Sequence, residues 1–222
     1  MINHLALIMD GNRRWATKRS LLPWLGHRQG AKTVEMAIQY CLDKKILYLS
    51  LYTLSLENLS RKEQEVLYLF GLIQEARDRA ADFVKNGVKV RFVGDLSKLP
   101  LSTQQACTEL EQTTSMGSAL VCNFLLCYGG QQEIISAVER MVRDRVDLVD
   151  RDILKSYLWL GNIPDPELII RTGGVQRISN FLLFQSAYAE IRFLDCLWPE
   201  LTTEILDQTV QSCLQAPKNF GV

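Results

Sequence analysis

Residues 5–15 read Leu-Ala-Leu-Ile-Met-Asp-Gly-Asn-Arg-Arg-Trp, and the change of character at Asp10 decides how the chain folds. Five apolar residues in succession suit a strand buried on both faces, the kind found in parallel sheets covered by helices. The Asp-Gly-Asn after them is a turn that opens a helix. The same succession recurs downstream. Apolar runs predict strands over Leu5–Met9, Ile46–Thr53, Val88–Val93, Leu120–Cys127, Leu168–Ile170 and Ile191–Leu194. Between the first two, Val34, Ala37, Ile38, Cys41 and Leu42 return at helical spacing. Val66, Leu69, Phe70, Ile73, Ala80, Phe83 and Val84 form a longer stripe, and Ile134, Val138, Met141 and Val142 a third. A short segment at Ile153 to Leu158 and a last helix from Thr203 to Leu214 complete the pattern. Such alternation predicts an α/β fold, a mainly parallel sheet surrounded by helices. In these sheets ligands collect at the carboxyl ends of the strands.

The whole chain bounds what can sit there. Its 222 residues, with no repeat or linker, predict one domain over 1–222. Lys+Arg and Asp+Glu stand at 25 each, which argues against a polybasic surface for nucleic acid or anionic membrane. No apolar run approaches the roughly 18 residues of a membrane span. The N-terminus lacks the basic segment of a signal peptide. Six cysteines, none in a Cys-x-x-Cys pair, and two histidines argue against zinc and for a reducing, cytoplasmic setting.

The segments that follow the strands are polar and carry glycine. Asp10-Gly11-Asn12-Arg13-Arg14 places two guanidinium groups at a helix start, suited to a phosphate; Asp10 fits there if a hard cation such as Mg²⁺ bridges the two. A capping Asp beside solvated arginines is the plainer alternative. His27, in Gly26-His27-x-x-Gly30, is either a phosphate donor or proton shuttle, or a structural hydrogen-bonder. Ser55-Leu-Glu57-Asn58-x-x-Arg61, taken by itself, reads first as a helix cap with an acidic first turn. Arg171-Thr-Gly-Gly174-x-x-Arg177-Ile-Ser179-Asn180 is a stronger signal, since two arginines and a serine around a Gly-Gly turn can wrap a pyrophosphate. Glu190 is a second carboxylate for a metal, with a surface ion pair as its bland alternative. Two anion sites and two carboxylates suggest a reaction between two phosphorylated substrates.

Taken together, Met9 to Ala16, Gly26 to Gly30, Tyr52 to Arg61, Arg171 to Gln185, Ala187 to Glu190 and Asp195 to Pro199 resemble the ordered motifs of the cis-prenyltransferases, and among them the bacterial undecaprenyl diphosphate synthases. The resemblance runs from about His4 to Pro199. It implies a six-stranded sheet and a homodimer. It also implies Mg²⁺-dependent, sequential addition of isopentenyl diphosphate to an allylic starter, usually farnesyl diphosphate, giving undecaprenyl diphosphate, a lipid carrier precursor for cell-wall synthesis. On that resemblance Asp10 sits at the Mg²⁺–pyrophosphate centre and Glu190 helps complete the metal site. Gly11, Asn12, Arg13, Arg14, Trp15, His27, Ser55, Glu57 and Arg61 serve the allylic pyrophosphate. Asn58 lies near the reacting carbons, and Arg171, Arg177 and Ser179 hold the isopentenyl pyrophosphate. The product chain would need an apolar tunnel between the sheet and the helices bearing Val34–Leu42 and Val66–Val84. Its lipid nature implies peripheral membrane contact.

Some positions depart from that pattern. Pro23 stands where an Arg is frequent, Val175-Gln176 replaces a charged or His-containing pair, and Leu59 and Phe184 each replace a Trp. Asn219 occupies the Arg position of an Arg-x-Gly tail that reaches the partner's site. A non-catalytic subunit of the same fold is the competing reading, but it would be expected to lose Asp10 and the phosphate arginines. An unrelated phosphate-binding enzyme is a third reading, and a shorter polyprenyl product a fourth. The Asp-Asp-x-x-Asp motif of trans-prenyltransferases does not occur.

Overall fold

Residues 2–60 and 62–215 are described by the computed structural model. Strand β1 (His4–Ile8) leads into α1 (Asn12–Thr17) and α2 (Leu25–Asp43). β2 (Tyr48–Ser55) is followed by a 3₁₀ turn at Leu56–Ser60, then α3 (Glu63–Asp78) and α4 (Ala80–Lys85). β3 (Val88–Val93), α5 (Leu101–Thr113), β4 (Leu120–Tyr128), α6 (Gly130–Arg143) and α7 (Arg151–Tyr157) come next. β5 (Leu168–Arg171), β6 (Glu190–Phe193) and α8 (Thr203–Gln215) complete the described chain.

The six strands form one sheet in the order β3-β4-β2-β1-β5-β6, and every pair is parallel. All carboxyl ends therefore share one edge. From β1 the chain builds β2, β3 and β4 on one side and later returns to place β5 and β6 on the other. Asp10 follows β1 at this reversal, where open parallel sheets bind ligands.

The two-residue period of a strand divides the core. Leu5, Leu7, Leu49, Leu51, Leu168 and Ile170 pack with α2, α3 and α8 on one face. Ala6, Ile8 and Ile169 face the other way, against Tyr128, Leu160, Ile163, Phe181 and Leu182. The predicted strands shift by at most two residues. The stripe from Val66 to Val84 is not one helix: it breaks at Arg79 (φ −99°, ψ 17°) into α3 and α4. Helix α5 was not predicted, because its buried positions (Thr103, Ala106, Cys107 and Leu110) are mostly small or polar.

Helix α6 corrects the expected phase. Val138 and Val142 are exposed, and the buried face is Gly130, Glu133, Ala137 and Met141. Glu133 replaces an apolar residue because its carboxylate is fully used. It accepts from Tyr128 Oη (2.5 Å), Gln185 Nε2 (3.0 Å) and the Leu160 amide (3.1 Å). Burial pushes its pKa up against the pull of those donors.

A second buried polar line crosses the sheet. His4 Nδ1 lies 2.7 Å from the Pro164 carbonyl, which can only accept, so Nδ1 carries the proton. Nε2 then accepts from Ser50 Oγ (2.8 Å), and Ser50 accepts from Asn123 Nδ2 (3.2 Å). Burial lowers the His4 pKa to about 4 from the ordinary 6.5. Between those values the unfolded chain binds a proton that the native imidazole resists, so stability falls as pH drops from 6.5 to 4. The full loss is on the order of 3 kcal/mol. Melting temperature measured across this range should fall more steeply for the wild type than for a His4→Gln variant. Parallel curves would show that His4 is not held neutral.

Candidate active site

Asp10 is the hub of the carboxyl edge. Its Oδ1 accepts from Arg14 Nη2 (3.1 Å) and its Oδ2 from Arg171 Nη2 (2.9 Å). The Asp10 backbone is pinned as well: its amide donates to Thr172 Oγ1 (3.1 Å), while its carbonyl accepts from that hydroxyl (2.8 Å) and from the Trp198 amide (2.9 Å). Partial burial opposes ionisation of Asp10, yet the two guanidinium groups hold its pKa below the ordinary carboxylate value. Arg14 also donates to the Gly173 carbonyl (2.7 Å). Gly173 adopts φ +91°, and a side chain there would meet Arg14 Nη2 at 2.4 Å, so glycine both permits the turn and admits the arginine.

The first motif folds into α1, which no side chain caps. Gly11 starts it at φ +113°. Asn12 turns its amide toward the Met9 carbonyl (3.4 Å) and lies against Gly30, where a Cβ would come within 2.3 Å of Asn12 Oδ1. The Gly30 carbonyl accepts from Trp198 Nε1 (2.9 Å), so Gly30 is a packing position between α1, α2 and the Trp198 turn. Trp15 supports the Arg19 guanidinium over its ring, 4.4 Å from the centroid.

His27 meets a partner that sequence reasoning missed. Glu65 of α3 is buried, accepts from His27 Nε2 (3.1 Å), and lies 3.6 Å from Arg13 Nε. This carboxylate joins three helices beneath the site. Its only sequence signal was an acidic residue at a position of an otherwise apolar stripe, next to Val66.

At the end of β2, buried Ser55 Oγ accepts from the Asn58 amide (3.3 Å). Glu57, in the same turn, accepts from Asn180 Nδ2 (3.2 Å). The third motif closes the opposite side. Buried Arg171 Nη1 donates to the Arg177 carbonyl (2.6 Å) and to Ser179 Oγ (2.8 Å), and Arg177 Nε lies 3.2 Å from the same hydroxyl. Arg61 and the tail position Asn219 lie outside the described residues.

Glu190 is not brought to this hub. It starts β6 and pairs with Leu168, whereas Arg171 pairs with Phe193. That puts it at the amino end of the strands, roughly 10 Å along the sheet from Arg171 at about 3.3 Å per residue. Its carboxylate pairs with Arg192 instead. Among the described residues no group of three or more His, Cys, Asp or Glu side chains is placed to hold a metal.

Below the hub a cavity of about 1640 Å³ runs between the sheet and α2, α3 and α4. Its mouth includes Asp10, Arg14, His27, Asn58, Arg171 and Ser179, and its depth includes Val34, Leu42, Ile73, Phe83, Phe92 and Phe124. That exceeds the roughly 300–1,000 Å³ of ordinary small-molecule pockets. A charged mouth over a long apolar interior suits a ligand with an anionic head and an extended hydrocarbon tail.

Comparison with known proteins agrees with this geometry. Residues 8–221 match the family model described as "Putative undecaprenyl diphosphate synthase". The chain is 40% identical to a geranylgeranyl-diphosphate-specific tritrans,polycis-undecaprenyl-diphosphate synthase of Pyrococcus abyssi, over 98% of this chain and 86% of the relative. It is 38% identical to a farnesyl-diphosphate-specific ditrans,polycis-undecaprenyl-diphosphate synthase of Xanthomonas axonopodis pv. citri, over 99% and 88%. The crystal structure of lavandulyl diphosphate synthase from Lavandula x intermedia with dimethylallyl diphosphate superposes with a TM-score of 0.95 at 27% identity, covering 100% of this chain and 98% of that one. With the fold, the motif order and nearly full-length relatives in agreement, the chain belongs to the undecaprenyl diphosphate synthase family of cis-prenyltransferases.

Proposed function

We propose that this enzyme elongates an allylic diphosphate, preferably farnesyl diphosphate, with successive isopentenyl diphosphate units to give undecaprenyl diphosphate, using Mg²⁺. The observation that carries the reading is the placement of two arginine groups on either side of Asp10, at the mouth of one large apolar cavity. The names of the relatives support chain elongation and divide on the starter, farnesyl for one and geranylgeranyl for another. A second reading, a shorter product, is favoured by Phe92 and Phe124, which stack at 5.6 Å within the cavity lining.

In the proposed reaction the allylic C–O bond breaks and its electron pair leaves with the pyrophosphate. Arg13, Arg14 and Arg61, with the amides of Gly11 and Asn12, meet that developing charge. Arg171, Arg177 and Ser179 hold the isopentenyl pyrophosphate so that its double bond faces the allylic carbon. The double-bond electrons form the new C–C bond, a proton leaves the adjacent carbon, and pyrophosphate is released. Asn58 is neutral and orients the reacting groups; the departing pyrophosphate, or a group that Asn58 positions, takes the proton.

Asp10 fits the proposed ion. It is a hard oxygen donor held ionised at the mouth, and Mg²⁺ is usually bound by one or two carboxylates together with substrate phosphates. Bound there, Mg²⁺ would neutralise pyrophosphate charge.

The reading includes a homodimer, supported by exposed Ile135, Val138 and Val142 along α6 and by exposed Tyr188 and Phe193 at and beside edge strand β6. A cytoplasmic location is supported by free cysteines at positions 41, 107, 122, 127 and 196. Among the described residues no helix is long and apolar enough to cross a membrane; the proposed membrane contact is peripheral, through the product.

Radiolabelled isopentenyl diphosphate, supplied with farnesyl or geranylgeranyl diphosphate, should enter a ladder ending near eleven isoprene units when Mg²⁺ is present and should not be incorporated when it is withheld. No incorporation from folded protein would overturn the reading. Asp10→Asn should lower turnover by on the order of 10²–10³-fold while the protein remains folded. Arg177→Ala should raise KM for isopentenyl diphosphate about tenfold to a hundredfold, the value of one charge-assisted contact. Arg171→Ala should do so too, and should also move the acid limb of the pH–rate profile upward, because Asp10 loses a guanidinium that favours its ionised form. An unmoved acid limb would sever Arg171 from Asp10.

A further inference from the structure

We infer that Asn180 is a positioning residue that ties the turn bearing Glu57 and Asn58 to the loop bearing Arg177 and Ser179, so that the two diphosphate sites fill cooperatively. The inference rests on the two-substrate reading above and adds to it a residue and a coupling. Three residues of four in this loop have left-handed backbones: Ser179 (φ 49°), Asn180 (φ 63°) and Leu182 (φ 44°). Asn is the side chain among them that best tolerates that region.

Its hydrogen bonds fix which way the amide points. The Gly130 amide donates to the Asn180 carbonyl (2.7 Å), and the Gln131 amide donates to Asn180 Oδ1 (2.9 Å). A backbone N–H can only donate, so the atom facing the first amides of α6 is the oxygen, and the NH₂ is left to donate to side chains. That NH₂ reaches Glu57 Oε1 and Gln132 Oε1, both at 3.2 Å. Gly129 leaves the space for it: a Cβ there would come within 2.7 Å of Asn180 Nδ2. The neighbouring residue, Ser179, is gripped by Arg171 and Arg177, and its carbonyl lies 3.2 Å from Tyr52 Oη. A pyrophosphate that draws in Arg177 and Ser179 therefore moves the backbone from which Asn180 holds Glu57.

The bridge can be reversed chemically. Asn180→Asp keeps the oxygen that caps α6, at a helix N-terminus that favours negative charge, but sets a carboxylate against Glu57. Adding Glu57→Gln supplies a donor to the new carboxylate and restores the bridge with its polarity inverted.

The test is calorimetric titration of isopentenyl diphosphate into the full chain, alone and saturated with the unreactive thiolo analogue of farnesyl diphosphate. In the wild type the analogue should tighten isopentenyl diphosphate binding on the order of tenfold. Asn180→Asp should bring that factor close to one with little change in melting temperature, and the double variant should recover most of it. Should Asn180→Asp fold poorly, Glu57→Ala removes the acceptor from the exposed end of the bridge and should lower the factor equally. An unchanged factor in either single variant, a factor of one in the wild type, or no recovery in the double variant would overturn the coupling. If neither diphosphate binds the wild type, the proposed function itself falls, an outcome distinct from all of these.

Discussion

Because all six strands run in one direction, every strand delivers its following residues to the same edge, and the site depends on that constraint. Asp10, the Ser55–Asn58 turn, Gly129–Gly130 and the Arg171–Gly174 turn come from four strands separated by up to about 160 positions in sequence, yet they meet because none of those strands is reversed. The edge alone would not bring charged side chains close. The link is Asp10, whose two oxygens take one guanidinium from the helix that follows it and one from β5. A chain with no net charge thereby concentrates arginine at one place. Arg14 and Arg171 would repel each other without a carboxylate between them, and the same carboxylate keeps them aimed at the mouth.

The two faces of the sheet are built for different tasks. One is filled: Tyr52 stacks on Phe181 at 4.8 Å, Tyr128 meets Trp159 and Phe181 edge-on, and buried Glu133 binds β4, α6 and the Gln185 segment together. That face carries the loop with Arg177, Ser179 and Asn180, and its left-handed residues persist because the surroundings leave them no alternative. The other face is incompletely filled. α2 and α3 stand off the sheet far enough to leave the apolar cavity, and polar contacts such as Arg28 with Glu75 (3.1 Å), and Arg79 with Glu35, close the seam between them. A filled face positions charge, and an underpacked face leaves room for hydrocarbon.

This division explains what was legible in the sequence. Buried parallel strands are continuous apolar runs, so all six could be placed within two residues, and the polar turns after them pointed to the shared edge. Periodicity failed where burial and polarity part company. In α6 the apolar residues lie outside and Glu133 inside, because hydrogen bonds at both of its oxygens make a carboxylate an acceptable core residue. α5 was hidden by small and polar buried side chains. In the site, local motifs announced Asp10, Arg14, Arg171, Arg177 and Ser179. Glu65 was not announced, and Asn180, though inside the third motif, was given no role, because their partners His27 and Glu57 are 38 and 123 positions away. Glu190 is the opposite case: the motif that contains it is close in sequence to Asp195–Pro199, but within this chain strand register puts it at the other end of the sheet.

Physical context also separates the glycines of these motifs from the groups they accompany. Gly30 and Gly173 both sit beside phosphate-type residues, and each is required by a close approach rather than by contact with an anion. A methyl group at Gly30 would strike Asn12 and Trp198, and one at Gly173 would strike Arg14. The glycines are therefore what let α1 lie against α2 and let Arg14 reach across to β5. The motifs of this edge consist of two interleaved sets: charged residues that face the mouth, and glycines and buried carboxylates that make it possible for those charges to converge. Substitution in the second set would displace the first without removing any of its members, so the chemistry at Asp10 depends as much on the missing side chains behind it as on the arginines in front.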